Sequence, residues 1–127
     1  MQFASVRIVT ANVDRLVEFY EALLGASAMR PSPEFAEFRW NGVAFAISSQ
    51  TLVMRFNAGA AIAGANRSAI IEFEVEDVDA VYGRLAADVE VAMEPATMPW
   101  GNRSMLLRDP DGNVINIFAR QKTLVFD

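Results

Sequence analysis

The sequence contains no cysteine and no histidine among its 127 residues. Without cysteine there is no disulfide, no thiolate nucleophile and no zinc or iron–sulfur site held by thiolates. Without histidine there is no Ser-His-Asp triad, no imidazole acid or base and no metal site of two histidines and a carboxylate. Any metal would depend on oxygen ligands, which favour Mg²⁺, Ca²⁺ or Mn²⁺. These two absences exclude several classes of enzyme.

Basic residues are also scarce, because eleven Lys and Arg stand against sixteen Asp and Glu, a formal net charge of −5. Nucleic-acid binding needs a basic surface that displaces counterions, so we expect no nucleic-acid partner. The longest run without a charged residue, 40–54, is too short and too polar to cross a bilayer, so we expect no membrane partner. We expect a cytoplasmic protein.

The first half of the chain begins with a strand and a helix. Residues 3–10 contain β-branched residues in partial alternation, which is typical of a strand. Asn12 can cap a helix, whose apolar stripe then runs from Val13 to Leu24 at steps of three and four residues. Gly25 stands where a C-terminal cap belongs.

The rest of this half is predicted to form a small sheet. A short strand is expected over 26–30, before the prolines that stop it. Asn41-Gly42 between two apolar runs is a strong hairpin signal. Residues 51–56 extend the sheet or cross over it. Residues 57–68 are rich in Gly, Ala and Asn and have the composition of a linker or mobile loop.

The second half starts the same pattern again. Residues 69–76 alternate between apolar residues and glutamates, as a half-buried strand does. Asp77 can cap the helix that follows. The segment Asp109-Pro110-Asp111-Gly112-Asn113 has the composition of a tight turn, so we assign it a structural role. Three further strands are predicted, at 89–94, 103–108 and 113–119.

The two halves form an internal repeat. The aligned pairs are Val6 with Ile71, Ile8 with Phe73, Asn12 with Asp77, and Asn41-Gly42 with Asp111-Gly112. A unit of this size cannot bury both a helix face and a sheet face alone, so we expect two β-α-β-β-β modules that share one sheet surface. We divide a single domain, 1–127, into module one (3–56), a linker (57–68), module two (69–119) and a tail (120–127).

This repeated module resembles the vicinal oxygen chelate superfamily, which includes glyoxalase I, extradiol dioxygenases, fosfomycin-resistance enzymes and bleomycin-resistance proteins. The resemblance covers residues 3–119. It rests on the repeat, on Phe19-Tyr20 and Leu24-Gly25 at the end of the first helix, and on Pro99-Trp100-Gly101-Asn102-Arg103 before the Asp-Pro-Asp-Gly-Asn turn. It implies an α+β fold with an incompletely closed, eight-stranded mixed sheet and helices on its convex face. It also implies a homodimer.

In metal-dependent members of this superfamily, the ligands lie on the concave sheet face and are usually His, Glu or Gln. The resemblance places these positions at Ser5, Phe45, Ile70 and Asn116, within one residue. Phe45 and Ile70 cannot bind a metal, and Ser5 and Asn116 are weak neutral donors. We therefore expect no metal and no cofactor. A glyoxalase I, extradiol dioxygenase or fosfomycin-resistance reaction is not expected either, because each relies on the charge of the ion.

Strand alternation predicts which side chains line the concave face. They are Ser5, Arg7, Val9, Phe45, Ile47, Ile70, Glu72, Glu74, Asn116 and Phe118, whereas Val6, Ile8, Ile71, Phe73, Ile115 and Ile117 face the helices. Apolar walls with few polar groups are typical of a ligand pocket. The predicted ligand-binding residues are Ser5, Arg7, Trp40, Phe45, Glu72, Glu74, Trp100, Arg103, Asn116 and Phe118.

Several of these residues have more than one interpretation. Glu72 and Glu74 could act as general acid or base or hold a cationic ligand, or Glu72 could form an ion pair with Arg7. Trp100 could stack on a planar ligand or pack in the core or a dimer interface. Arg103 could bind an anionic ligand or pair with an aspartate of the turn.

Three functional hypotheses follow. The first is a metal-free protein that binds a small hydrophobic or planar molecule, as bleomycin-resistance-type proteins sequester their ligand. The second is a metal-independent lyase or isomerase with Glu72 or Glu74 as the general base. The third is a non-catalytic, dimeric regulatory domain, which a cup filled by Trp40, Phe45 and Phe118 would favour.

Overall fold

The computed structural model describes residues 1–120. They divide into two compact units, the first formed by residues 1–66 and the second beginning at Arg67. The first unit contains β1 (Ser5–Thr10), α1 (Val13–Leu24), β2 (Met29–Ser32), β3 (Phe35–Trp40), β4 (Val43–Ser49) and α2 (Gln50–Phe56). The second contains β5 (Ile70–Glu74), α3 (Val78–Leu85), β6 (Glu90–Thr97), β7 (Arg103–Arg108) and β8 (Val114–Ala119).

Each unit contains one four-stranded mixed sheet. The strand orders are β1-β4-β3-β2 and β5-β8-β7-β6, so the two sheets have the same topology. In each sheet the first and last strands of the module, β1 with β4 and β5 with β8, pair in parallel, and the other pairs are antiparallel. Neither sheet closes on itself. The predicted α+β fold of two β-α-β-β-β modules is confirmed.

Two local expectations for the first unit are corrected. Residues 51–56 belong to helix α2 and do not extend the sheet, because Ser49 caps a helix there by accepting a hydrogen bond from the amide of Leu52 at 2.9 Å. Strand β2 lies at Met29–Ser32 and includes Pro31, which we expected to stop it. Proline is tolerated because β2 is the edge strand of its sheet.

The predicted helix caps are confirmed. The side chain of Asn12 accepts a hydrogen bond from the amide of Arg15 at 3.1 Å, and the side chain of Asp77 does the same for Ala80 at 3.0 Å. Gly25 ends α1 in the left-handed conformation, with φ of 63°. The apolar stripe of α1 is buried at Val13, Leu16, Val17, Tyr20 and Leu23.

The face of β4 that packs on α1 differs from the prediction. The ring of Phe45 lies 4.7 Å from the ring of Tyr20, a buried residue of α1, so Phe45 faces the helix and does not line a concave face. Ile47 shares that face and is completely buried. The small residues of β4 occupy the opposite face at Ala44, Ala46 and Ser48. The predicted facing of β4 was therefore wrong by one residue.

Helix α2 lies on the other face of the first sheet. Arg7 lies on the face of the sheet that points away from Phe45, because it pairs with Ala46. Its guanidinium donates a hydrogen bond at 2.8 Å to the side chain of Asn57, the residue that caps the C-terminus of α2. α2 packs against both β1 and β4, and its Val53 is buried. Consecutive residues of β1, Ile8 to Thr10, are buried, which requires cover on both faces of the strand.

Within residues 67–120, helix α3 covers one face of the second sheet and no helix or strand covers the other, which we call its open face. Arg103 of β7 binds Asp79 of α3, which places Met105 and Leu107 on the helix side with Ile115 and Ile117 of β8. These four apolar residues are buried. The residues between them, among them Asn116 and Phe118, lie on the face away from α3, as the alternation in the sequence predicts.

The described part of the chain, residues 1–120, contains no helix that is both long and apolar enough to span a membrane.

Candidate functional site

A pocket of about 180 Å³ lies in the second unit. Its lining comes from the open faces of β5, β7 and β8 and from the loop that joins β6 to β7. The lining residues are Glu72, Met98, Trp100, Asn102, Ser104, Asn116 and Phe118. Four of the ten predicted ligand-binding residues thus meet in one place: Glu72, Trp100, Asn116 and Phe118.

The polar part of the pocket is a chain of three hydrogen-bonded side chains. The hydroxyl of Ser104 donates to Oδ1 of Asn116, and Nδ2 of Asn116 donates to Oε2 of Glu72 at 2.8 Å. The sheet register brings these groups together, because Asn116 is directly opposite Glu72 on β5 and Ser104 is directly opposite Phe118, two residues further along β8. The chain ends at a carboxylate that faces the pocket.

The apolar part consists of Trp100, Phe118 and Met98. Trp100 lies in the turn between β6 and β7, which is closed by hydrogen bonds from the amide of Met98 to Asn102 at 2.7 Å and from the amide of Gly101 to Met98 at 2.8 Å. Gly101 has φ of 101°, a conformation that favours glycine. The turn fixes the backbone of Trp100 and leaves its indole 67% exposed, available to stack on a ligand.

Glu74 and Arg103 do not line this pocket. Glu74 pairs with Arg120 at 3.1 Å. Arg103 binds Asp79 through two hydrogen bonds, at 2.8 and 3.0 Å, so its partner is an aspartate of α3 and not one of the turn. This contact holds the pKa of the Asp79 carboxyl below its ordinary value and raises the pKa of Arg103.

The other predicted ligand-binding residues lie in the first unit. Arg7 binds Asn57, Ser5 is exposed at the start of β1, and Phe45 packs on α1. Trp40 stacks on Phe38, with ring centroids 6.3 Å apart. The predicted ion pair between Arg7 and Glu72 stays a prediction, since the two residues belong to different units.

Three lining residues are not among the ligand-binding residues predicted from the sequence: Met98, Asn102 and Ser104. Ser104 could have been found, because alternation along β7 sets it on the face opposite the buried Met105. Met98 and Asn102 are placed by the hydrogen bond that closes the turn, for which the sequence offers only Gly101 as a signal.

A larger recess of about 510 Å³ lies in the first unit, at the carboxyl ends of β1 and β4. Its lining includes no aromatic residue, and most of its polar side chains already bind other groups of the protein. Asp14 pairs with Arg30 at 2.9 Å, Glu34 accepts a hydrogen bond from Ser49, and Gln50 binds the backbone at 61 and 63. The smaller pocket is therefore the better candidate for a ligand site.

The residues present do not fit the metal that related enzymes use. With Phe45 turned to α1, the opposite face of β4 carries Ala44 and Ala46, whose side chains have no ligand atoms, and the buried hydroxyl of Ser48. Oδ1 of Asn116, the amide atom that could bind a metal, accepts from Ser104, and Oε2 of Glu72 accepts from Nδ2 of Asn116. Within residues 1–120, no three Asp or Glu side chains come together as a metal-binding group.

Comparison with known proteins agrees with the topology of the two modules. The family model of the Glyoxalase/Bleomycin resistance protein/Dioxygenase superfamily matches residues 2–117. The chain belongs to this superfamily. The resemblance inferred from the sequence is thereby confirmed. No curated protein matches the sequence.

Solved structures of this superfamily are similar over nearly the whole chain. A glyoxalase/bleomycin resistance protein/dioxygenase from Nocardioides is 26% identical with a TM-score of 0.78, over 98% of this chain and 86% of that one. A protein of unknown function from Agrobacterium tumefaciens is 26% identical with a TM-score of 0.81, over 94% of each chain. A lactoylglutathione lyase from the same organism is 20% identical with a TM-score of 0.72, over 93% of this chain and 92% of that one, a likeness of fold alone.

Proposed function

We propose that this superfamily member is a metal-independent protein that binds a small hydrophobic or planar molecule in the pocket of the second unit. The observation that carries the proposal is the pairing of an aromatic wall, Trp100 and Phe118, with one fixed polar chain that ends at Glu72. Ligand pockets are typically apolar walls with a few placed polar groups, so this arrangement supports binding.

The pocket suits a small ring system. Its volume of about 180 Å³ is below the range of roughly 300–1,000 Å³ that is usual for drug-sized ligands. A ring that stacks on the indole of Trp100 gains binding free energy from dispersion and from the burial of apolar surface. Stacked aromatic pairs contribute about 0.5–1.5 kcal/mol beyond what their buried area accounts for. One or two fused rings would fill the space between Trp100 and Phe118.

Replacing Trp100 by alanine is expected to weaken ligand binding by about tenfold, because the largest apolar surface of the pocket is lost. The binding of quinoline and of other one- and two-ring heteroaromatic compounds is measured by calorimetry, after a thermal-shift screen for compounds that stabilise the protein. Trp40→Ala is the matched control, since Trp40 is also partly exposed but lies in the first unit.

Equal loss of affinity in both tryptophan variants would contradict the assignment of the site, and so would no loss in Trp100→Ala.

Metal independence is tested on the same protein after dialysis against a chelator. We expect binding to proceed unchanged and titration with Mn²⁺, Ni²⁺ or Fe²⁺ to give no heat of tight binding. A stoichiometric, tightly bound metal would refute the proposal.

A lyase or isomerase with Glu72 as general base is the second candidate, favoured by the carboxylate that lines the pocket. Glu74 is a weaker choice because it pairs with Arg120. For any compound that the protein turns over, Glu72→Gln should abolish turnover and leave the unfolding transition unchanged, while Glu74→Gln retains activity. Turnover by both variants would exclude this role.

The third candidate, a dimeric regulatory domain, was linked to a cup filled by aromatic rings. Phe45 packs on α1, and the pocket beside Phe118 is open, so the second unit does not meet that condition. The homodimer that the family resemblance implies is retained as part of the proposal.

A further inference from the structure

We infer that Ser104 determines the ligand selectivity of this pocket. It orients Asn116, and through Asn116 it orients Glu72, so that the pocket favours planar rings with an N–H donor and rejects the corresponding carboxylates. The inference rests on the proposed function, since it concerns the same pocket. Ser104 is a positioning residue here, because its hydroxyl acts through two other side chains.

The orientation follows from the hydrogen bonds that each group can make. Ser104 is 6% exposed, and its hydroxyl donates to Oδ1 of Asn116. An amide that accepts through Oδ1 on one side must present Nδ2 on the other, which it donates to Glu72. The reversed amide would set its oxygen against the Glu72 carboxylate, where two acceptors repel. The Glu72 carboxylate therefore selects this amide orientation, and the Ser104 hydroxyl, by donating to Oδ1, holds the Asn116 amide in it.

Glu72 is left with one acceptor for a ligand. Oε2 takes the bond from Asn116 at 2.8 Å, whereas Oε1 accepts no hydrogen bond from residues 1–120. A carboxylate held in this way by a neighbouring amide cannot turn freely, so Oε1 offers an acceptor in a fixed position. A ring that lies on Trp100 can present an amine or ring N–H at its edge to this oxygen.

The charges around the pocket exclude anionic ligands. None of its lining side chains is cationic. Arg103 is bound to Asp79 on the side of α3, and Arg120, whose guanidinium lies 5.8 Å from the ring centroid of Phe118, is paired with Glu74. A ligand carboxylate would meet Glu72, and no lining side chain from residues 1–120 is a cation that could offset the repulsion. The selectivity thus depends on Glu72 and on the groups that orient it.

The test compares three compounds with one ring system: 4-aminoquinoline, quinoline and quinoline-4-carboxylate. Calorimetry on the wild-type protein is expected to show 4-aminoquinoline, which is protonated at neutral pH, bound about tenfold more tightly than quinoline, because it brings both a positive charge and N–H donors to Glu72. The carboxylate should bind most weakly. Ser104→Ala should lower the ratio of amine to quinoline affinity several-fold, and the affinity for quinoline is measured on the same variant as the reference. Ser104→Thr, which keeps a hydroxyl on a strand residue, should restore the ratio.

Glu72→Gln provides a second variant at an exposed position, and it should remove the amine preference while quinoline still binds. An unchanged ratio in Ser104→Ala or in Glu72→Gln would overturn the inference, as would equal binding of the amine and the carboxylate by the wild-type protein. If quinoline and 4-aminoquinoline both fail to bind the wild-type protein, the proposed function fails and the inference fails with it. Binding without selectivity refutes the inference alone.

Discussion

Replacing Phe45 by alanine is expected to lower the free energy of unfolding by about 3–5 kcal/mol. The Phe45 side chain is 5% exposed, and its ring lies 4.7 Å from that of Tyr20 and 6.3 Å from that of Phe38. The substitution leaves a cavity between β4 and α1, two elements that cannot move together without disturbing the sheet. Urea denaturation followed by circular dichroism measures the loss.

Phe118→Ala is the matched control for this experiment, because Phe118 lies on the open face of the second sheet and is partly exposed. We expect it to cost about 1 kcal/mol of stability, since less apolar area is removed from contact, and to weaken quinoline binding. The reverse result, in which Phe45→Ala weakens binding and Phe118→Ala unfolds the protein, would restore the original placement of Phe45 in a ligand cup.

Replacing Asp109 by alanine is expected to cost about 3–5 kcal/mol, since removing a buried acceptor leaves each donor unpaired at about 1–3 kcal/mol. Oδ1 of Asp109 accepts from the amides of Asp111 and Asn113, both at 2.9 Å, and Oδ2 accepts from Nδ2 of Asn113 at 2.8 Å. Asp109 and Asn113 are buried, so water cannot replace these bonds. Thermal and urea unfolding measure the effect.

Asp109→Asn separates the contributions of the two oxygens. Its remaining oxygen can accept from the two backbone amides, but its amide nitrogen faces Nδ2 of Asn113, where two donors meet. We expect the free energy of unfolding of Asp109→Asn to lie between that of the wild-type protein and that of Asp109→Ala. A full loss of stability in both variants would mean that the negative charge, and not the geometry, stabilises the turn. No loss in either variant would contradict its structural role.

The elements and the repeat could be predicted from the sequence because they depend on short-range signals. The caps at Asn12 and Asp77, the glycine at the end of α1 and the Asn-Gly and Asp-Gly turns each act within a few residues. Asn41 and Gly42 both have positive φ, as a tight hairpin turn requires. The family resemblance followed from the order of these elements.

The facing of β4 was mispredicted because alternation fixes which residues share a face but not which face meets the helix. Every residue of β4 from Ala44 to Ser49 is buried, so both faces of this strand are covered. The strand therefore has no charged face that would mark the side away from the helix. The alignment that places Asn41-Gly42 on Asp111-Gly112 also places Phe45 on Ile115, a helix-facing residue. The alignment of the two modules therefore predicts that Phe45 faces the helix, as the structure shows.

Four of the seven residues that line the candidate site were predicted from the sequence. Glu72 follows from the alternation of apolar residues and glutamates on β5, and Asn116 and Phe118 follow from the two-residue period of β8. The indole of Trp100 and the chain from Ser104 to Glu72 depend on which strands are neighbours and in which register, and the register is set by pairing between segments far apart in the sequence.

The sequence by itself determined the two modules, the absence of histidine and cysteine chemistry, and the alternation that sets Glu72 and Asn116 on one face. Only the tertiary structure decided that α2 covers the first sheet while the corresponding face of the second sheet stays open. The physical reason is that helix caps and turns are local, whereas the cover of a sheet face depends on contacts between distant segments. The two modules thus have the same strand order, and the pocket lined by Trp100 and Phe118 lies in the second of them.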